Sequence, residues 1–272
     1  MVKMGTVWDR TAEFLTDNLS ALLPVCLLAF FVPYSIRGNF AMVSDGGRFD
    51  FQLLLQLFSL GFALLALWGS LTISAMVLDS DARDPGVVGV RNLVPALGVA
   101  IVMLGGLAIV CAPVPLLLLA WGYDLQGLIQ RGGAGVPVAM EWLLSLYLLA
   151  VLLLSIWVGA RLLIVNPVIL SEKRILGALA RSWALTRGLS LRIVGVVLLY
   201  LLVTSVAVLA TRVVFGSIFE LVAGTPTNGL SLSRVLTSVM VAAVQTGFTV
   251  VVPAFATKLY LALVQREDAA RA

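Results

Sequence analysis

Apolar residues in this chain come in long runs rather than at a helical or strand period. Six runs, at roughly 19–36, 51–78, 93–121, 140–168, 190–214 and 233–263, each have the length of a membrane crossing, since ~18–20 helical residues traverse a hydrocarbon core of ~30 Å. The pattern predicts an all-α polytopic membrane protein, a single membrane domain over 1–272 with about six transmembrane helices. Several runs exceed the minimum, which predicts tilting, kinking or extension into the interface. Pro24, Pro33, Pro95, Pro113, Pro115, Pro167 and Pro253 fall within or at the ends of four runs, where packing against neighbouring helices can satisfy the carbonyls that proline frees.

Two segments between the runs have a different pattern. Over residues 4–18, Met4, Val7, Trp8, Ala12, Phe14 and Leu15 fall on one arc at 100° per residue, continued by Leu19. Asp9, Arg10, Glu13, Thr16 and Asp17 fall opposite. Residues 174–187 repeat the design, with Ile175, Leu176, Leu179, Ala180 and Trp183 facing away from Arg174 and Arg181, and Leu185 out of pattern beside the arginines. Both read as amphipathic interfacial helices, preceding spans one and five. Leu15-Thr16 and Leu19-Ser20 recur as Leu185-Thr186 and Leu189-Ser190, and residues 86–92 stand in the same place before span three. This arrangement suggests three units of interfacial helix, span, outer loop and span, as internal duplication produces in membrane proteins.

Composition agrees. Hydrophobic residues make up 61% and charged residues 12%, against about 25% charged in soluble domains. The mean hydropathy is +1.07. The net charge of +4 does not point to nucleic acid, because the basic residues flank the hydrophobic runs. With the N-terminus in the cytoplasm, twelve Lys and Arg face that side and five face the other. The positive-inside rule then expects both termini in the cytoplasm. Trp121, Tyr123 and Trp142 suit an aromatic belt at the outer interface. Asp9, Glu13 and Asp17 ahead of the first run, and the lack of a small-residue cleavage site after it, read as a retained span rather than a signal peptide.

Candidate chemistry is sparse. The chain has no histidine to act as general base or metal ligand. No Walker loop or nucleophile elbow occurs. Cys26 and Cys111 sit inside apolar runs and read as small buried hydrophobes. No cofactor is expected. Arg161 is the only charge well inside a predicted span, and such residues are functional hypotheses by default. Its distance from Trp142 sets it near the inner interface, where it can snorkel to phosphates. Glu172 lies ~16 Å further along the same helix face, too far for a direct pair. Asn166-Pro167 precedes Glu172 and reads as a turn-prone break. Arg174, Arg181 and Arg187, with Arg192, build a basic cytoplasmic face, each worth about 1 kcal/mol of attraction to anionic lipid. Gln52, Gln56, Gln245 and Asn166 are expected as interhelical hydrogen-bonding glue.

The stretch ARLLIVNPVILSEKRILGALARSWALTRGLSLRIVGVVLL, through Arg161, Pro167, Glu172, Ala178-Leu179, Arg181-Ser182-Trp183, Leu185-Thr186 and Gly188, resembles the membrane domain of glycerophosphoryl diester phosphodiesterases. That domain also occurs alone in bacterial inner-membrane proteins. The phosphodiesterase site of the family belongs to a separate soluble domain that uses histidines and acidic metal ligands. The resemblance therefore implies a stand-alone membrane module without that activity.

The expectation is a non-enzymatic inner-membrane protein acting as a lipid-associated scaffold or partner-binding module. Its partners would be membrane lipids and a protein at the cytoplasmic face. Its contact residues would be Arg161, Glu172, Arg174, Arg181, Trp183 and Arg187. The competing reading is a transporter or channel for a small or lipid-like substrate, running near spans three, four and six.

Overall fold

The computed structural model describes residues 3–40, 49–79, 84–123, 137–172, 177–223 and 232–271. Among these, all regular structure is helical. Helix α1 (Met4–Asp17) precedes span 1, which is α2 (Leu19–Cys26), a π-helical turn at Leu27–Phe31 and α3 (Val32–Phe40). Span 2 is α4 (Phe49–Leu78), followed by the short α5 (Pro85–Arg91). Span 3 joins α6 (Leu93–Cys111) to α7 (Pro113–Ala120), and span 4 joins α8 (Val138–Leu162) to α9 (Val165–Glu172). Helix α10 (Gly177–Leu185) leads to span 5, α11 (Ser190–Ala223), and span 6 is α12 (Leu232–Arg271). Six segments are long and apolar enough to cross a membrane: Leu19–Gly38, Leu53–Leu78, Leu93–Ala120, Met140–Glu172, Ser190–Val222 and Leu232–Ala269. The chain is an all-α, multi-pass membrane protein.

Proline and hydroxyl placement explains the local irregularities. Pro24 has no N–H to donate, and the π-turn begins three residues after it. Pro113 occupies the first turn of α7, where its missing donor is harmless, so span 3 is divided at Ala112. Buried hydroxyls bond back within their own helices: Thr72 donates to the Trp68 carbonyl, Thr246 to Ala242 and Thr257 to Pro253, at 2.7–2.8 Å.

Span 6 is the centre of the packing. It touches α1, spans 1, 2 and 5, and α9. Its buried Ala242, Ala254 and Ala256 let neighbouring backbones approach, the usual device where no hydrophobic driving force separates helix from lipid. Tyr34 bonds Thr249 at 3.1 Å, tying span 1 to span 6, and Tyr200 donates to the Phe248 carbonyl at 2.9 Å, tying span 5 to it. Asn166 donates to Ser70 at 3.0 Å between spans 4 and 2, the role expected of it. Spans 3 and 5 behave otherwise. Only 11% and 6% of their most apolar windows are buried, so most of that apolar surface faces away from the protein.

An even number of crossings puts α1 and the end of α12 on one face, and the two pack together. Trp8 lies 6.0 Å from Phe255 between ring centroids, and the Lys258 ammonium sits 5.0 Å from the Phe14 ring. The short helices α1, α5 and α10 each precede an odd-numbered span, in keeping with the expected three-unit layout. Their packing against the protein uses a face that the amphipathic pattern does not mark. The protein-facing side of α1 is Val7, Thr11 and Phe14, with Trp8 half exposed and Ala12 exposed. In α10 the buried stripe is Ala178 and Ser182, while Ala180 and Trp183 face outward. Cys111 is exposed rather than buried, and Cys26 is half-buried. The side chain of Gln52 lies outside the described residues, and Gln56 is exposed.

The tightest contact between spans is at Gly69. A Cβ there would lie 2.4 Å from the Ala29 Cβ and 3.1 Å from the Phe30 ring, at the π-turn of span 1. Gly69→Ala is expected to cost about 1–3 kcal/mol as an overpacked site. Gly61, with nothing within 4 Å, is the control. Unfolding in detergent should show Gly69→Ala destabilised and Gly61→Ala at or above wild type.

Candidate functional site

The last carbonyls of a helix have no intrahelical donor and need one from elsewhere. Helix α8 ends at Leu162, and the turn at 163–164 separates it from α9. The break thus falls just ahead of Asn166-Pro167, which lie within α9, and the Arg161 carbonyl is left at the end of α8. Ser182 donates to it at 2.7 Å and Thr186 reaches it at 3.4 Å. Thr186 also donates to the Ser182 carbonyl at 2.8 Å. Both hydroxyl-bearing residues are fully buried. This explains why a stripe of small and polar residues, not the apolar one, faces the protein. Helix α10 ends at Leu185, and the turn that follows holds Gly188 at a φ of +84°, the left-handed conformation that favours glycine.

That docking sets the positions of the candidate residues. The Arg161 guanidinium carbon lies 4.8 Å from the centre of the Trp157 ring and 4.5 Å from that of Trp183. The two indoles meet edge to face, with centroids 5.2 Å apart. Cation–π contacts of this kind contribute about 0.5–2 kcal/mol each. The Arg161 Nε is buried and has no hydrogen-bond partner among the described residues. Trp157 escaped the sequence reading, although its i, i+4 spacing from Arg161 places it on the same helix face.

Arg181 and Glu172 are brought together, at 2.9 Å. Arg181 also forks onto Glu267 of span 6, at 2.6 and 3.2 Å, and Glu267 accepts from Arg271 at 2.6 Å. The bond to Glu267 and the pairing with Glu172 raise the Arg181 pKa above its already high value. This cluster ties α10 to the ends of spans 4 and 6. It uses Arg181 and Glu172 to hold structure, and leaves Arg187 exposed. Arg174 lies outside the described residues. Glu267, 86 residues from Arg181, had no sequence signal.

Beside the indole pair is an apolar cavity of about 570 Å³ between spans 3 and 4. Val102, Met103, Gly106 and Val110 form one wall, Leu154, Val158 and Leu162 the other, and Leu179, Ala180 and Trp183 of α10 close one end. The Tyr147 hydroxyl bonds the Val110 carbonyl across the two spans. A second cavity, of about 750 Å³, lies between spans 1, 5 and 6 and includes Arg37, Arg212, Arg234 and Glu220 in its lining.

Replacing both donors by Ser182→Ala and Thr186→Val should leave the Arg161 carbonyl unpaired. The expected cost is about 1–3 kcal/mol. Hydrogen exchange should rise within 177–185 while exchange within span 6 near Ala254 stays slow.

Comparison with protein-family models, curated proteins and solved structures finds no match for this chain.

Proposed function

We propose that the chain is a non-catalytic, lipid-associated module of the bacterial inner membrane, with both termini cytoplasmic, that holds an anionic lipid beside α10. One observation carries this reading: a guanidinium laid on two indoles, one of which, Trp183, also lines an apolar cavity. Arginine stays charged at any physiological pH and presents planar donors that match phosphate geometry. Indoles belong at the headgroup level of a bilayer. The cavity walls between spans 3 and 4 are aliphatic and suit an acyl chain, so the charge and the apolar surface lie in the order of a phospholipid.

The distribution of basic residues supports the orientation, with twelve on the side of the termini and five on the other. On that orientation Arg187 and Arg192 add charge beside the same headgroup layer. The absence of histidine supports a binding role over hydrolysis. The resemblance to the membrane domain of glycerophosphoryl diester phosphodiesterases rests on residues of this same region, Arg161 to Gly188, and fits a module that a catalytic domain can be attached to or lack. The ion cluster around Arg181 holds α10 against spans 4 and 6, offering a fixed cytoplasmic surface to a protein partner. The two cavities have no lining residue in common, which favours separate docking sites over a single transport path.

Native mass spectrometry of protein extracted from mixed bilayers tests the reading. Wild type should retain phosphatidylglycerol over phosphatidylcholine. Arg161→Gln and Trp183→Ala should each lower that retention several-fold, and Arg271→Ala should leave it intact. Equal retention by wild type and both variants would reject the site.

A further inference from the structure

Glycine inside a helix costs about 1 kcal/mol relative to alanine. In membrane spans small residues are usually kept where two backbones approach closely. Gly69 is such a case, with the Ala29 Cβ 2.4 Å from where its own would stand. Gly106 of span 3 and Gly159 of span 4 are not. A Cβ on either would meet nothing within 4 Å. Both line the 570 Å³ cavity beside α10. They belong to its two facing walls, so the missing side chains widen one space from both sides.

The cavity is bounded along the spans. Its lining runs from Val102 to Val110 on span 3 and from Leu154 to Leu162 on span 4. Each stretch rises through eight residues, about 12 Å at 1.5 Å per residue. Leu179, Ala180 and Trp183 of α10 close the end beside Leu162. At the other end the Tyr147 hydroxyl donates to the Val110 carbonyl and ties the two walls together. A membrane-crossing helix of a second copy or a partner would need a groove as long as the hydrocarbon core, ~30 Å, and this one is closed at both ends. One leaflet supplies half of that core, ~15 Å, which is the scale of the cavity. The lining is also dry in character. Among the described residues, Ser155 is the one hydroxyl in it, and that hydroxyl is already bonded to the Val151 carbonyl at 2.7 Å.

We propose that this cavity seats a single phospholipid acyl chain from the leaflet on the side of the termini, and that Gly106 and Gly159 are the residues that make room for it. The chain belongs to the anionic lipid beside α10, so the inference rests on that reading. Trp183 links the two parts, because it lines the cavity and lies against the Arg161 guanidinium. The volume falls within the range of ordinary ligand sites, ~300–1,000 Å³. Side chains on the two glycines would occupy the space that the chain fills.

The test uses full-length protein in phosphatidylcholine bilayers carrying a phosphatidylglycerol with a diazirine midway along one chain. After irradiation, labelled residues are mapped by mass spectrometry. Label within 102–110 and 154–162 should exceed several-fold that on Leu199, Leu202 and Leu209, which are exposed on span 5 and report ordinary lipid contact. Gly106→Leu with Gly159→Leu should keep the fold, since leucine favours helix over glycine. It should lower the cavity label several-fold and leave the span 5 label unchanged. Cavity label no denser than that on span 5 overturns the proposal, and is the result expected if another protein segment fills the space. So does unchanged cavity label in the folded double variant. The headgroup reading is scored separately through Arg161→Gln. If that variant keeps its phosphatidylglycerol while the double variant loses cavity label, the headgroup reading fails and the acyl-chain site stands. If Arg161→Gln loses phosphatidylglycerol while label is even along spans 3, 4 and 5, the acyl-chain site fails alone.

Discussion

A helix can stop at the edge of a bilayer only where its last carbonyls find donors, and the features near the termini follow from one such requirement. The Arg161 carbonyl ends α8 and is capped by Ser182 and Thr186. These two hydroxyls fix which face of α10 meets the protein. The rotation of α10 then lays Trp183 on the Arg161 guanidinium and points Arg181 at Glu172 and Glu267. The apolar residues of α10 are left to close the end of the cavity between spans 3 and 4. A backbone group thus organises a charged side chain, an ion cluster and a lipid-facing surface. The hydrogen bonds involved join residues 21 and 25 apart in sequence, the end of α8 and the far end of α10.

The two cavities differ in the way their charges are handled. Beside α10 the guanidinium is met by aromatic faces, which attract a cation without neutralising it. Between spans 1, 5 and 6 the arginines share a lining with Gln245, Tyr34 and one carboxylate. Arg181, by contrast, is saturated by carboxylates on two other helices. Sequence context alone does not separate these roles, since all are arginines beside apolar runs. Packing decides between the first and the last by what it sets against the guanidinium, two indole faces at Arg161 and two carboxylates at Arg181.

Much of the fold was legible because lipid imposes a length on apolar helices. All six spans and the helix preceding span 1 are where the hydrophobic pattern puts them, and the element before span 5 is present as Gly177–Leu185. Span ends were less legible: α11 and α12 extend further, because arginine and glutamate inside a long helix look the same as residues at its end. Arg161 and Glu172 stood out through their position, and Trp157 could have been read from its i, i+4 spacing. Glu267 and the common cavity lining of Arg37, Arg212 and Arg234 could not, because no local pattern encodes the relative placement of distant spans. The face by which α10 meets the protein is not its apolar one, for a physical reason. Its small polar residues pack inward to satisfy a carbonyl, while its larger apolar ones already have lipid as a solvent.

The sparse burial of span 3 has a mechanical consequence. One wall of the cavity beside α10 is held to its neighbours by few residues and to the bilayer by most of its surface. The opposite wall, on span 4, is anchored through α9 to spans 2 and 6. The two walls are therefore held unequally: the protein's own contacts fix the span 4 side of the opening and leave the span 3 side with few of them.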